Sequence, residues 1–352
     1  MSDAFPSDAP SIAIIGAGLA GLAAAWHLIA NGKPAPQLTI FDKSRGLGGR
    51  LATRRLPNDR SFNHGAQYVR ASDPRLQGIL RDAIAAGQAE EWTAPIADGP
   101  PVSVDAQRPR FVGTPGMSAL GRVMMAAVDK QAKQQRLTVE RYRQTQITKI
   151  SKALHGWLLE DQLGDQHGPY DHLLMAIPAP QAKDLLTAAD IEDANRLERM
   201  ITAASTPMVP CWSLMIAFEQ ALPLDAEARQ FKDHPLAWIG KSASSDAGAA
   251  WHGYVVHAAP DWSATHLEEG NDTVIEQMLG LVAETLKTDL PPIVHKTAHR
   301  WRYAFAPDAY GKPCVHDASL GLTLAGDWCL GNRAESAFLS GVGAAEAINP
   351  QA

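Results

Sequence analysis

The stretch from Ile12 to Asp42 constrains this chain more than any other. Ile12 to Ala30 carries no charge unless His27 is protonated, and it is about long enough to span a bilayer. Its internal order points elsewhere. Ile12-Ala13-Ile14-Ile15 is a short run rich in branched residues, suited to a strand buried on both faces. Gly16-Ala17-Gly18-Leu19-Ala20-Gly21 follows at once, and Leu22 to Ala30 reads as a helix that stops near Asn31-Gly32. Leu38-Thr39-Ile40-Phe41 is a second buried-strand run, and Asp42 closes it.

That order is the fingerprint of a dinucleotide-binding strand-turn-helix unit. Gly16 permits the tight turn, Gly18 lets backbone approach a pyrophosphate, and Gly21 lets the helix pack on the strand. The helix start offers N–H groups and a positive dipole end to the phosphates. Asp42 has the chemistry to accept hydrogen bonds from a ribose diol. A glycine triplet alone is weak; a triplet between strand and helix, with an acid ending the next strand, is strong.

With 352 residues the chain has room for two domains. Its net charge of −6 gives no electrostatic reason to expect nucleic acid or an anionic membrane surface as partner. The first ten residues hold Asp3 and Asp8 but no Lys or Arg, which speaks against a secretory signal. Cys211, Cys314 and Cys329 are far apart and odd in number, so a reducing cytoplasm is the expected setting. His295 and His299 have the spacing of a helical metal pair, but the residues between them read as strand, and no metal site is expected.

Beyond Asp42, the loop Lys43 to Arg55 concentrates arginine and glycine, the composition of a phosphate-holding bend, with Arg50 the leading candidate. A helix is expected from Arg75 to Gly87, capped by Asp73-Pro74, and another from about Ala119 to Lys133. Leu137 to Ile150 alternates, with Val139, Tyr142, Ile147 and Ile150 as inward positions. Asp184 to Met200 and Leu267 to Leu286 read as helices. Trp212 to Phe218, Trp251 to Ala258 and His295 to Ala304 read as strands of an antiparallel sheet. Leu322-Thr323-Leu324-Ala325 is a late buried strand, followed by Gly326-Asp327 and a helix opening near Glu335.

The glycine triplet, Asp42, Gly48-Gly49-Arg50 and His64-Gly65-Ala66-Gln67-Tyr68 together resemble the renalase branch of the monoamine-oxidase-type flavoproteins. The resemblance implies non-covalently bound FAD, held by Gly16, Gly18, Ala20, Gly21, Asp42, Lys43, Gly49 and Arg50. It brings Gly65, Ala66, Gln67, Tyr68 and Ala176 beside the flavin. It also gives Gly326, Asp327, Ala337 and Phe338 to the cofactor, because such proteins close with a similar strand-turn-helix. A plain nicotinamide dehydrogenase has no use for that last element, which favours FAD over NAD as the resident cofactor. His64, Trp301, His257 and Trp212 are the substrate-facing candidates, with Trp301 in the family-like run Arg300-Trp301-Arg302-Tyr303.

The expected architecture is α/β. A doubly wound, Rossmann-type FAD domain would come from residues 11–75, 114–186 and 318–350, and an α+β substrate domain on an antiparallel or mixed sheet from 76–113 and 187–317. The activity implied by the resemblance is oxidation of aberrant dihydro isomers of NAD(P), with dioxygen as acceptor and hydrogen peroxide as product. An amine oxidase or desaturase on the same fold stays open at this point, as does a flavin-binding redox sensor without turnover.

Overall fold

A computed structural model describes residues 9–32, 34–98, 109–191, 193–242 and 251–349. The chain gathers into two compact units. Met1–Gly49, Leu120–Met208 and Ala306–Ala352 form the first, Arg50–Ala119 and Val209–Phe305 the second. These seams differ from the expected ones: residues 50–75 and 114–119 group with the second unit, and 187–208 and 306–317 with the first. Packing gives the reason. Phe62 is wholly buried against Met215, Ala217 and Val255 of the second unit, and Met200 belongs to the core that holds Leu322 and Leu324 in the first.

In the first unit the strands run in the order Val315–Asp317, Leu322–Leu324, His172–Met175, Ser11–Ile15, Gln37–Asp42, Val139–Arg143. All neighbours pair in parallel except the edge strand Val315–Asp317. This is the doubly wound, Rossmann-type order read from the sequence. The helices Leu19–Asn31 and Ala334–Ile348 pack together, and they come so close that a side chain at Gly341 would strike the Ala20 carbonyl.

A three-stranded antiparallel sheet, Ile147–Ala153, Gly156–Asp161 and Gln166–Tyr170, shares a core with Ala13, Ile15, Phe41 and Leu173. Its Trp157 is wholly buried and donates from Nε1 to the Leu320 carbonyl at 2.9 Å.

Several boundaries move. Leu137 to Ile150 contains two strands in different sheets, and Tyr142 is 38% exposed with its ring stacked on Phe41, so it is not an inward position. Asp184 to Met200 is broken into the helices Ala179–Thr187 and Ala194–Ala203, the second capped by Asp193. The long helix begins only at Asn271, after Gly270. Asp73 caps the helix Pro74–Ala85 as expected, accepting from the Arg75 N–H at 2.8 Å.

In the second unit the strands run Ile293–Phe305, Val209–Phe218, His252–Ala258, Leu236–Lys241, Ala228–Gln230, Ile96–Ala97. All pairings are antiparallel but the last. Strand alternation gives this sheet two unlike faces. Trp212, Leu214, Ile216 and Phe218 join Val274, Met278 and Val282 of the helix Asn271–Leu286 in one apolar core. Cys211, Ser213, Met215 and Ala217 point the other way.

Candidate functional site

The first unit offers a backbone site. Ile15 is in register with Phe41 and with Met175, and Met175 with Leu324, so Gly16, Asp42, Ala176 and Ala325 follow at one carboxyl edge. The strand Ser11–Ile15 has Gln37–Asp42 on one side and His172–Met175 on the other. Ligands of open α/β sheets bind outside such a switch point. Gly16 sits at φ 108°, and a Cβ there would run into the Ala176 carbonyl. A Cβ at Gly18 would meet nothing within 4 Å. Backbone therefore lies open at Gly18, where a ligand needs it.

Asp42 accepts from the Ala17 N–H and the Ser44 N–H, both at 2.7 Å. A carboxylate has about four acceptor sites, so capacity remains for a diol. Gly48 donates to the Ala17 carbonyl at 2.9 Å and bridges Gly18, and Lys43 and Gly49 are exposed. Gly326 donates to Ser340 Oγ at 2.9 Å, and Asp327 is buried at the start of the short turn Asp327–Cys329. The helix Ala334–Ile348 has no side-chain cap, but the Ala337 N–H already donates to the Arg333 carbonyl. Phe338 is wholly buried with its ring 6.1 Å from Trp26, so its side chain belongs to the core. An acidic acceptor, a tight glycine turn and open backbone at the switch point fit a dinucleotide.

The segment from Arg50 to Tyr68 is tied together within the second unit. The Ala66 N–H donates to the Arg50 carbonyl at 2.9 Å, and a Cβ at Gly65 would strike that same oxygen. Arg50 Nη1 donates to the Ala304 carbonyl at 2.9 Å. Gln67 Nε2 donates to the Asn63 carbonyl and, at 3.2 Å, to the Gly65 carbonyl. The Tyr68 ring lies 5.5 Å from Trp92 and 6.2 Å from Trp238.

The second sheet offers a side-chain site. Register aligns Trp238, His257, Ser213 and His299 in one row, with Cys211 and Trp301 in the next. His64 lies over this face: its ring is stacked 5.4 Å from Trp301 and edge-on 4.9 Å from His299. Trp301 Nε1 donates to the His64 carbonyl at 2.9 Å. His64 is 6% exposed, and its Nδ1, His257 Nε2 and Ser213 Oγ are buried without a partner. Buried polar atoms seldom go unpaired outside functional sites.

All these imidazoles are held neutral. Burial, then the charges of His299 and Arg54, push His64 down to about 3. Burial pushes His257 to about 4, against a hydrogen bond with the His64 backbone. Burial and Arg54 also lower His299. The rows of this face hold no Asp or Glu.

Three of the four expected substrate-facing residues, His64, His257 and Trp301, come together here. Trp212 does not. It lies on the helix-covered face, wholly buried, donating from Nε1 to the His266 carbonyl at 3.0 Å. Its odd-numbered neighbours on that strand carry the other face, and period-two alternation sends Trp212 away. His299, Ser213 and Arg54 are members that sequence reasoning passed over. Alternation along Ile293–Phe305 was the signal for His299, since it aligns His295, Thr297, His299 and Trp301. No sequence signal pairs Ser213 with His257.

Among the described residues no group of three His, Cys, Asp or Glu is placed to hold a metal. Nor is any described helix long and apolar enough to cross a membrane. Cys329 is wholly buried, and burial pushes its thiol up to about 12.

Residues 14–83 match the family model of the NAD(P)-binding Rossmann-like domain. The chain is also similar to renalase of Mus musculus, at 22% identity over 304 residues, covering 83% of this chain and 84% of that protein. Its fold matches a solved structure from Exiguobacterium sp. 255-15, provisionally assigned as a protoporphyrinogen oxidase. The TM-score is 0.70 at 14% identity, covering 99% of this chain and 100% of the other.

Proposed function

We propose that this protein is an FAD-dependent oxidase of dihydronicotinamides. It would take a hydride from aberrant dihydro isomers of NAD(P), return NAD(P)⁺, and reduce dioxygen to hydrogen peroxide. The observation that carries the substrate class is the neutral imidazole and indole face formed by His64, His257, His299 and Trp301. The oxidoreductase part of the reading draws on the likeness to renalase and on the resemblance of the sequence to that branch of flavoproteins.

Gly16, Gly18, Asp42, Lys43, Gly49, Ala176, Gly326 and Asp327 would hold FAD. Bound there, FAD supplies the hydride acceptor and the route by which two electrons reach dioxygen. The thiol of Cys329 is no nucleophile at neutral pH with its pKa raised to about 12, which favours non-covalent binding. The free cysteines suit a reducing compartment, the cytoplasm in this reading.

The chain's own part is positioning. A dihydronicotinamide ring is flat and uncharged, and it becomes aromatic as its hydride leaves, so no strong base is required. Trp301 gives that ring a flat neighbour and is itself fixed by the Nε1 bond to His64. The unpaired His64 Nδ1 and His257 Nε2 offer hydrogen bonds to polar groups on such a ring. Among the described residues, a protonated amine would meet neutral imidazoles and the charge of Arg54, with no Asp or Glu in the rows of that face. That disfavours the amine-oxidase alternative.

Anaerobic mixing tests the reading. Dihydronicotinamide isomers should bleach the flavin of the purified protein, and primary amines should not. In Trp301→Ala the bleaching rate should fall on the order of a hundredfold through lost positioning, with flavin content unchanged. Rapid bleaching by a primary amine, with none from any dihydronicotinamide, would overturn the proposal.

A further inference from the structure

On the strand Ile293–Phe305, His299 and Trp301 are two residues apart and share a face. Two residues of strand advance the chain by roughly 6.5–7 Å, yet the two ring centroids stand only 4.3 Å apart. The rings therefore lean toward each other. Their cross-strand partners leave room for it: Ser213 lies opposite His299 and Cys211 opposite Trp301, both small side chains.

A hydrogen bond fixes the indole at one atom, since Trp301 Nε1 donates to the His64 carbonyl at 2.9 Å. The chain that carries this carbonyl is itself anchored. Gly65 abuts the Arg50 carbonyl so closely that a Cβ there would strike it, and the Ala66 N–H donates to the same oxygen. One bonded atom does not fix a ring, which can still pivot about it.

The other contacts oppose that pivot. The rings of His64 and Trp301 lie 21° from parallel with centroids 5.4 Å apart. His299 stands across both, at 68° to Trp301 and, with centroids 4.9 Å apart, at 79° to His64. It closes one side of the stack and meets each ring in the edge-to-face manner that ring quadrupoles favour. Burial, then the charge of Arg54, holds His299 below the ordinary histidine range, so the ring in this contact is neutral and brings no counter-ion with it.

We propose that His299 is a positioning residue: it braces the Trp301 indole against pivoting about its Nε1 bond, and so sets the plane on which a flat substrate ring is laid. The flat ring rests on the dihydronicotinamide reading; the brace itself is a property of the three protein rings. His299 then acts through Trp301, unlike His64 and His257, whose unpaired ring nitrogens are offered to the ligand.

The test has two arms, both on the flavin-loaded protein. A residue that works through another loses its effect once that other is gone, which a double-mutant cycle detects. Wild type, His299→Ala, Trp301→Ala and the double variant are each mixed anaerobically with a saturating dihydronicotinamide isomer. His299→Ala alone should slow flavin bleaching about two- to tenfold, the span of one aromatic pair. Added to Trp301→Ala, it should slow bleaching no further. His299→Phe returns a flat, uncharged ring and should recover most of the rate. If His299→Ala does not fold, His299→Asn removes the same ring and takes its place.

The second arm needs no substrate. In protein labelled with fluorotryptophan, the fluorine resonance of Trp301 is identified by its loss in Trp301→Phe. That resonance should shift and broaden in His299→Ala and return toward the wild-type line in His299→Phe. A broadened line, with no bleaching of the wild type by any dihydronicotinamide isomer, would keep the brace and reject the dihydronicotinamide reading. A further loss of rate when His299→Ala is added to Trp301→Ala, or a Trp301 resonance that His299→Ala leaves unmoved, would overturn the brace.

Discussion

The first unit's candidate site is built from backbone, and the second's from side chains. At the carboxyl edge of the first sheet, the atoms that matter are the N–H groups and open surface around Gly16 and Gly18, with one carboxylate, Asp42. On the second sheet, His64, His257, His299 and Trp301 come from three separated stretches and meet only because the strands pair in a given register. Backbone sites need residues that are absent or small, so they leave a dense local signature. Side-chain sites need residues that are present, and the same residues serve equally well as core.

The comparison breaks most sharply at Gly16. Valine there would be forced to φ 108° with its Cβ against the Ala176 carbonyl. The backbone strain alone is of the order of 1–3 kcal/mol, and the clash adds to it. Gly16→Val should therefore yield protein with little or no bound flavin and a lowered Tm. His64→Ala, by contrast, should keep its flavin. Full flavin content in Gly16→Val would deny that the first unit's backbone is the cofactor site.

The sequence was legible to the extent that each feature was local. The triplet, Asp42 and the closing Gly326-Asp327 could be found because each lies within one turn of chain. The doubly wound class of the first sheet followed from them, but its strand order did not, and the edge strand Val315–Asp317 was expected in the other domain. The seam at Gly49 could not be found, because it depends on where Phe62 buries itself, and Met215 and Val255 lie far along the chain. Trp212 shows the limit within a single strand. Composition marks it as aromatic and strand-borne, but only register tells which face it takes.

A second prediction sets titration in one unit against the other. His64 in the second unit and His172 in the first are each pushed down to about 3, chiefly by burial. Both folded-state values lie below the ordinary 6.5. Between pH 6.5 and about 3 the unfolded chain thus binds protons that the folded chain refuses. Stability is fully present above that window and falls as pH is lowered through it. At pH 5 each imidazole costs on the order of 2 kcal/mol relative to neutral pH. Denaturant unfolding of His64→Asn and His172→Asn at pH 7.5 and 5 should each show a smaller acid loss than the wild type. Only His64→Asn should also alter flavin reduction by dihydronicotinamides. An altered reduction rate in His172→Asn would mean that the imidazole face is not what sets it.

The smallest expected effect tests the two faces of the second sheet against each other. Trp212 and Trp301 sit on adjacent strands, with Trp212 in register with Arg300, one position from Trp301. Alternation sends Trp212 into the core with Val274 and Met278, while Trp301 joins His64 and His299. Trp212→Phe removes the Nε1 bond to the His266 carbonyl and some packing volume. The cost in stability should be roughly 1–2 kcal/mol, seen as an earlier denaturant midpoint with an unchanged m-value. Because the side chain never reaches the imidazole face, flavin reduction by a dihydronicotinamide should stay within about twofold of wild type, far from the loss expected on the order of a hundredfold in Trp301→Ala. A large kinetic defect in Trp212→Phe without a matching loss of stability would show that substrate is recognised on the helix-covered side, and the assignment of the two faces would have to be exchanged.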